Sequence, residues 1–327
     1  MKTIAFFNNK GGVGKTSLVY HLGWMLSEQG YSVVCADLDP QANLSAMFLD
    51  EERLEELWPE SGERHSVAGS VNPILRGLGD LQSPHLEVLS ERLALTPGDM
   101  TLARFEAKLS DDWSKCADGD EAAFRSESAF HRLIQDAGRQ RHADVALIDV
   151  GPNLGAINRS ALLAASHVLV PVAADLFSLH GLQNLGPTLR EWRKQWQERI
   201  THKPVGADFD LPAGNMQPIG YVILQHAVRA DRPVKAYARW VERIPGTYRD
   251  SVLNDPTDTG NHCLASLKNY RSLMPYAQDA RKPVFALKPA DGALGGHQNA
   301  VKSCFLDFKQ LAERIAQAAG LPRKSQE

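Results

Sequence analysis

The chain has 327 residues, 43% hydrophobic and 23% charged, with a formal net charge of −3. That is room for one large α/β domain or two small ones, with the composition of an ordinary globular protein. No run of about 18 apolar residues occurs, which excludes a membrane-spanning helix, and the near-balanced charge excludes polyanion binding by the whole molecule, so any nucleic-acid surface has to be local.

In chain order, Thr3 to Phe7 reads as a strand. Asn8-Asn9-Lys10-Gly11-Gly12-Val13-Gly14-Lys15-Thr16-Ser17 follows, and then a helix with Leu18, Val19, Leu22, Met25 and Leu26 at helical spacing. A strand, a glycine-rich turn and a helix opening on Gly-Lys-Thr form a nucleoside-triphosphate phosphate loop. The N–H groups of Gly11, Gly12, Val13 and Gly14 would close around phosphate oxygens, with Lys15 on the β- and γ-phosphates and the Thr16 hydroxyl on Mg²⁺. The cofactor-binding stretch therefore runs from Lys10 to Ser17.

Ser32–Asp37 reads as a buried strand with Asp37-Leu38-Asp39-Pro40-Gln41 at its carboxyl end, the edge where open α/β sheets bind ligands. Residues 50–84 are expected to hold one short helix and a loop. Leu86–Leu89 reads as a further buried strand. Residues 110–127, with little apolar periodicity, are expected to be a solvated loop or helix edge. Asp144–Asp149 is a strand ending in an acid, the Walker B arrangement that holds Mg²⁺. His167–Val172 and Gly220–Leu224 complete a set of apolar runs typical of parallel strands covered on both faces. Residues 201–217, containing Pro and Gly, read as a surface connection. A final helix, about 300–318, is expected to pack on the sheet.

Alternating strand and helix signals argue an α/β fold with a doubly wound, mostly parallel sheet. A phosphate-loop strand starting near Met1 leaves no signal peptide, so a cytoplasmic protein is expected. Cys35, Cys116, Cys263 and Cys304 form no C-x-x-C pair and are expected to be free thiols rather than a zinc or iron–sulfur scaffold.

Two details narrow the phosphate loop. The general pattern has Gly where this chain has Asn9, and a second lysine, Lys10, opens the loop. Lys-Gly-Gly-Val-Gly-Lys-Thr resembles the deviant Walker A motif of the ParA/MinD family of ATPases, and Asp37-Leu38-Asp39-Pro40-Gln41 resembles its switch I. Asp149-Val150-Gly151-Pro152 is similar to its switch II, with Gly151 in place of a proline. The likeness is strong to about residue 190. Beyond it, Leu267–Arg271 and Arg281–Val284 are loosely similar to the family's adenine region.

The resemblance implies a single ParA-like P-loop ATPase domain over residues 1–327, elaborated near 50–84, 110–127 and 201–217. It implies ATP and Mg²⁺ as cofactors, with Thr16, Asp39 and Asp149 at the metal. The catalytic set would be Lys10, Lys15 and Asp39: Lys10 reaching the partner's nucleotide in an ATP-state homodimer, Asp39 orienting the attacking water.

The implied function is an ATP-dependent dimerisation switch in plasmid or chromosome partition. It would bind DNA non-specifically, be nucleoid-associated and be stimulated by a partner protein. Two basic stretches qualify for DNA: 229–249, with Arg229, Arg232, Lys235, Arg239 and Arg243, and 189–203, with Arg190, Arg193, Lys194, Arg199 and Lys203. Their alternative is a solvated helix face with its tryptophans turned inward.

No membrane partner is expected, because the residues after Gly320 are too few for an amphipathic anchor. The phosphate loop begins too early for an N-terminal helix-turn-helix domain. The alternatives are a ParA-like ATPase that positions a protein cargo or serves a mobile-element or defence module without DNA, and a small-molecule amidoligase.

Overall fold

The computed structural model describes residues 1–224, 234–268, 270, 272–293 and 295–324. Eight strands form one sheet: β1 Lys2–Phe6, β2 Val33–Asp37, β3 Glu87–Ser90, β4 Leu93–Thr96, β5 Val145–Asp149, β6 His167–Val172, β7 Gln217–Leu224 and β8 Cys263–Leu267. Their order is β3-β4-β2-β5-β1-β6-β7-β8, and every pairing but β3 with β4 is parallel.

The N-terminal helices are α1 Lys15–Glu28, α2 Asn43–Phe48, α3 Glu51–Leu57 and α4 Val67–Arg76. α5 Phe105–Lys115, α6 Glu121–Glu127, α7 Ala129–Arg141 and α8 Ala156–Leu163 follow. α9 Leu176–Ile200, α10 Val234–Thr247, α11 Met274–Ala280 and α12 Gly296–Ala318 complete the set.

Strand side chains alternate between faces, and both faces here are apolar. Ile4, Phe6, Cys35 and Leu147 pack with Leu18 and Leu22 of α1 and Phe308 and Ile315 of α12. Ala5, Val34, Ile148 and Val170 pack with Phe105, Phe130, Leu182 and Trp196 on the other side. This two-sided burial is why the strands read as continuous apolar runs.

Several expectations are corrected. Leu86–Leu89 is not a buried parallel strand: β3 is a half-exposed antiparallel edge, and β4 supplies the fully buried parallel strand. Residues 50–84 hold two helices, not one; Asp50 and Ser66 start them by accepting the Arg53 and Gly69 N–H groups. Residues 110–127 are helical and packed, with Cys116, Ala123, Phe124 and Glu127 buried. The acids there face solvent or cations, as Asp112 does with Lys108 and Lys115. The last helix starts at Gly296; Phe308, Leu311 and Ile315 face the sheet, while Phe305 and Ala318 are exposed.

Candidate functional site

The loops leaving the carboxyl ends of β1, β2 and β5 converge on a cavity of ≈610 Å³. Gly11 to Ser17, Asp39 and Pro152 line it, with Tyr20 and His21 of α1, Met47 of α2 and Met274, Ala277, Gln278 and Lys282 at α11. Gly12 and Gly14 have φ of 71° and 89°, a left-handed conformation that side chains with a Cβ disfavour. Gly14 is the N-cap of α1, so the positive end of that helix opens into the loop. Asn8 braces the loop: its side-chain oxygen accepts the Lys10 N–H at 2.9 Å, and its amide donates to Pro171 O at 2.7 Å.

Lys15 is 7% exposed, and its Nζ donates to Asn8 O at 3.3 Å. Burial lowers its pKa, opposed by the charges of Asp149 and Asp39. Asp39 accepts the Gln41 N–H at 2.9 Å and is 8% exposed. Asp37 and Asp149 are register partners on β2 and β5, both fully buried. The Asp37 Oδ2 accepts from Ser45 N and Oγ at 2.8 and 2.7 Å, and its Oδ1 has no partner.

Both oxygens of Asp149 are buried and without a hydrogen-bond donor at bonding geometry. Burial, reinforced by Asp37, pushes the Asp149 carboxyl well above the usual carboxylate range, while the Thr16 side chain acts in the opposite sense. Two orphaned oxygens beside a hydroxyl and a buried lysine fit Mg²⁺, a hard cation that takes oxygen ligands. Among the described residues no group of three His, Cys, Asp or Glu closes a metal site by itself, so phosphate oxygens would complete the shell.

The buried acids give a pH dependence. Burial, moderated by Ser45, pushes Asp37 up to about 7. A carboxyl whose folded pKa is raised binds its proton more readily folded than unfolded, so the stability it contributes is lost as pH rises through the folded value. In ligand-free protein, Asp37→Asn keeps an acceptor for Ser45 and removes the repulsion with Asp149. It should raise Tm by several degrees at pH 8 and by less at pH 6. Equal gains at both pH values in a thermal melt would contradict ionisation of the buried Asp37 carboxyl as the cause.

Lys10 lies on the same edge, and its Nζ pairs with the Asp175 carboxylate at the start of α9. Against the cost of partial burial, Lys10 and the Ser178 N–H hold the Asp175 carboxyl below its usual range. Leu176 and Phe177 follow at 43% and 72% exposure, and the Lys10 Nζ stands 5.9 Å from the Phe177 ring centroid.

Of the expected DNA-contacting residues, Arg229 and Arg232 lie outside the described residues, as does the side chain of Lys235. Arg239 and Arg243 are exposed on α10, each over Trp240 at 5.6 and 5.3 Å. The 189–203 stretch is corrected. Arg190 donates to Ser251 O, Arg193 to Met216 O, Arg199 to Trp113 O and Lys203 to Phe209 O. These side chains are pinned within the fold; Lys194 is exposed beside Glu198.

A family model described as an AAA domain matches residues 1–202. Over 187 residues the chain is 31% identical to the "ParA family protein" of Chlamydia trachomatis, covering 57% of this chain and 64% of that one. The chain belongs to the ParA/MinD family of P-loop ATPases. It is also similar to the "Cell division protein PomZ" of Myxococcus xanthus, 27% identical over 198 residues, 60% of this chain and 54% of that one. The chain thus spans about half to two thirds of the length of these relatives. Among solved structures, the "putative plasmid partition protein" of Borrelia burgdorferi bound to AMPPNP superimposes with a TM-score of 0.60 at 18% identity, covering 97% of this chain and 98% of that one. That likeness extends the fold of the family to the C-terminal third, beyond the matched residues.

Sequence reasoning missed the bracing role of Asn8, Asp175 and the α11 wall as such, although the weak adenine-region likeness at Arg281–Val284 includes Lys282. Asp175 reads locally as a helix N-cap; nothing in its spacing puts it against Lys10.

Proposed function

We propose that the chain is a Mg²⁺-dependent ATPase that switches between monomer and ATP-bound homodimer and works in partition, with non-specific DNA as its track. The observation that carries this reading is that Lys15, Thr16 and Asp39 line one cavity at the phosphate loop, with the two buried, unpartnered oxygens of Asp149 behind it, close enough for Thr16, Asp39 and Lys15 to act on that carboxyl. Lys15 would bind the β- and γ-phosphates, and Thr16 and Asp149 would hold Mg²⁺. The cation supplies charge neutralisation on the phosphates. Asp39, buried and fixed by the Gln41 N–H, would hold water in line with the γ-phosphate.

The dimer reading is supported by the surroundings of Lys10. Met100 and Leu154, after β4 and β5, and Leu176 and Phe177, at the start of α9 after β6, are exposed apolar side chains on the edge that carries the phosphate loop. Exposed apolar groups around a charged site suit a second copy seated there. The γ-phosphate would then link nucleotide state to assembly, and hydrolysis would release it. Residues 1–327 would act as one domain, the helices within 50–84 and 110–127 being its elaborations.

DNA binding would rest on the basic stretch that ends in α10, doubled in the dimer, and would weaken steeply with salt. A partner protein would stimulate hydrolysis, and the protein would sit on the nucleoid in the cytoplasm. No described helix is long and apolar enough to cross a membrane.

The test is Lys10→Ala. It is expected to bind ATP within about threefold of the parent, elute as a monomer on a sizing column, and lose ATP-dependent retention on DNA in the same step. An ATP-dependent dimer formed by Lys10→Ala would remove the cross-subunit role.

A further inference from the structure

One wall of the nucleotide cavity comes from the far end of the chain. Met274, Ala277, Gln278 and Lys282 belong to α11 and the turn after it. Two hydrogen bonds tie this segment to the N-terminal part of the fold. Arg281 donates to the Leu49 carbonyl at the end of α2, and Val284 N donates to His21 Nε2 at 3.1 Å, across 263 residues of chain.

His21 lies two turns into the helix that begins with Lys15, and its ring is buried. Its Nδ1 is 2.7 Å from Ser17 O. Because Val284 N is a donor, Nε2 must accept, which puts the ring proton on Nδ1, donating to Ser17 O. Burial pushes the imidazole pKa down to about 4, so the neutral form required by this arrangement prevails at physiological pH. The ring also stacks on Phe308 of α12, with centroids 4.9 Å apart and planes 22° from parallel. The imidazole therefore joins the first turn of the phosphate-loop helix to the backbone two residues beyond Lys282.

We propose that His21 is a positioning residue for the nucleotide base: it clips the α11 wall to the phosphate-loop helix and so sets the width of the cavity beyond the phosphates. The proposal rests on the reading of the cavity as an ATP site. Triphosphate binding at Gly11 to Ser17 should not need the clip, whereas the base and sugar, which reach the α11 wall, should.

Isothermal titration with Mg²⁺–ATP and Mg²⁺–tripolyphosphate separates the two. His21→Phe fills the ring volume but leaves Val284 N unpaired. His21→Gln can still accept from Val284 and donate to Ser17. Val284→Pro removes the same bond from the other side, at a residue preceded by an extended Pro283.

His21→Phe and Val284→Pro are each expected to lose about tenfold in ATP affinity with tripolyphosphate affinity within about twofold of the parent, and His21→Gln to recover most of the loss. The effects of His21→Phe and Val284→Pro should not add when combined, since one bond is removed by either. If ATP and tripolyphosphate affinities fall together, His21 serves the phosphate loop and the proposal is overturned. If ATP affinity is unchanged in both variants, it is equally overturned. A parent protein that binds tripolyphosphate as tightly as ATP would instead sink the ATP reading itself, and the clip with it.

Discussion

Lys15→Ala is expected to remove nearly all ATP affinity. Lys15 is held in a buried position at the mouth of a glycine loop, where its charge is balanced by Asp149 and Asp39. Truncating one member of a buried charged pair costs about 2–5 kcal/mol, roughly a 30- to 4,000-fold rise in Kd. The loss also removes the positive charge of Lys15 from the surroundings of Asp149, so circular dichroism should accompany the titration to show the variant folded. A folded Lys15→Ala protein with ATP affinity within threefold of the parent would mean that the phosphates bind elsewhere.

The second large effect is expected on chemistry rather than binding. Asp39 sits at the carboxyl end of β2 with its carboxylate anchored by the Gln41 N–H, and it lines the same cavity as the phosphate loop. Removing a group that positions or deprotonates the attacking water lowers turnover by about 10²–10⁴-fold. Asp39→Ala should therefore release phosphate at a small fraction of the parent rate while binding ATP with near-parent affinity. It should also hold the ATP-bound dimer longer, since hydrolysis ends that state. Parent-level phosphate release by Asp39→Ala would take Asp39 out of the reaction.

The convergence of these residues on one edge of the sheet was legible because it is local. The phosphate loop, the strand-end pair Asp37 and Asp39, and Asp149 each follow a buried apolar strand, and three neighbouring parallel strands suffice to bring their carboxyl ends together. What the sequence hid is what depends on contacts between distant segments. Asp175 meets Lys10 across 165 residues. The His21–Val284 bond closes the cavity from the C-terminal third, where only a loose resemblance pointed.

Charge counting also misled in two places. The acidic 110–127 stretch looked solvated, yet Cys116, Ala123 and Phe124 turn inward, and Glu127 is buried against Arg159. The basic 189–203 stretch looked free for phosphate, yet four of its cations bind carbonyls inside the fold. The antiparallel β3–β4 hairpin was misread because Leu86–Leu89 is as apolar as a buried strand, while Val88 of β3 is 60% exposed at the sheet edge.

The central claim is that nucleotide state controls assembly. Sedimentation velocity of Asp39→Ala, the variant expected to hydrolyse slowly, with Mg²⁺–ATP, with Mg²⁺–ADP and without nucleotide tests it most directly. The account predicts a species of twice the 36.0 kDa chain mass with ATP and the single chain in the other two samples. One mass in all three samples, whether monomer or dimer, would contradict it.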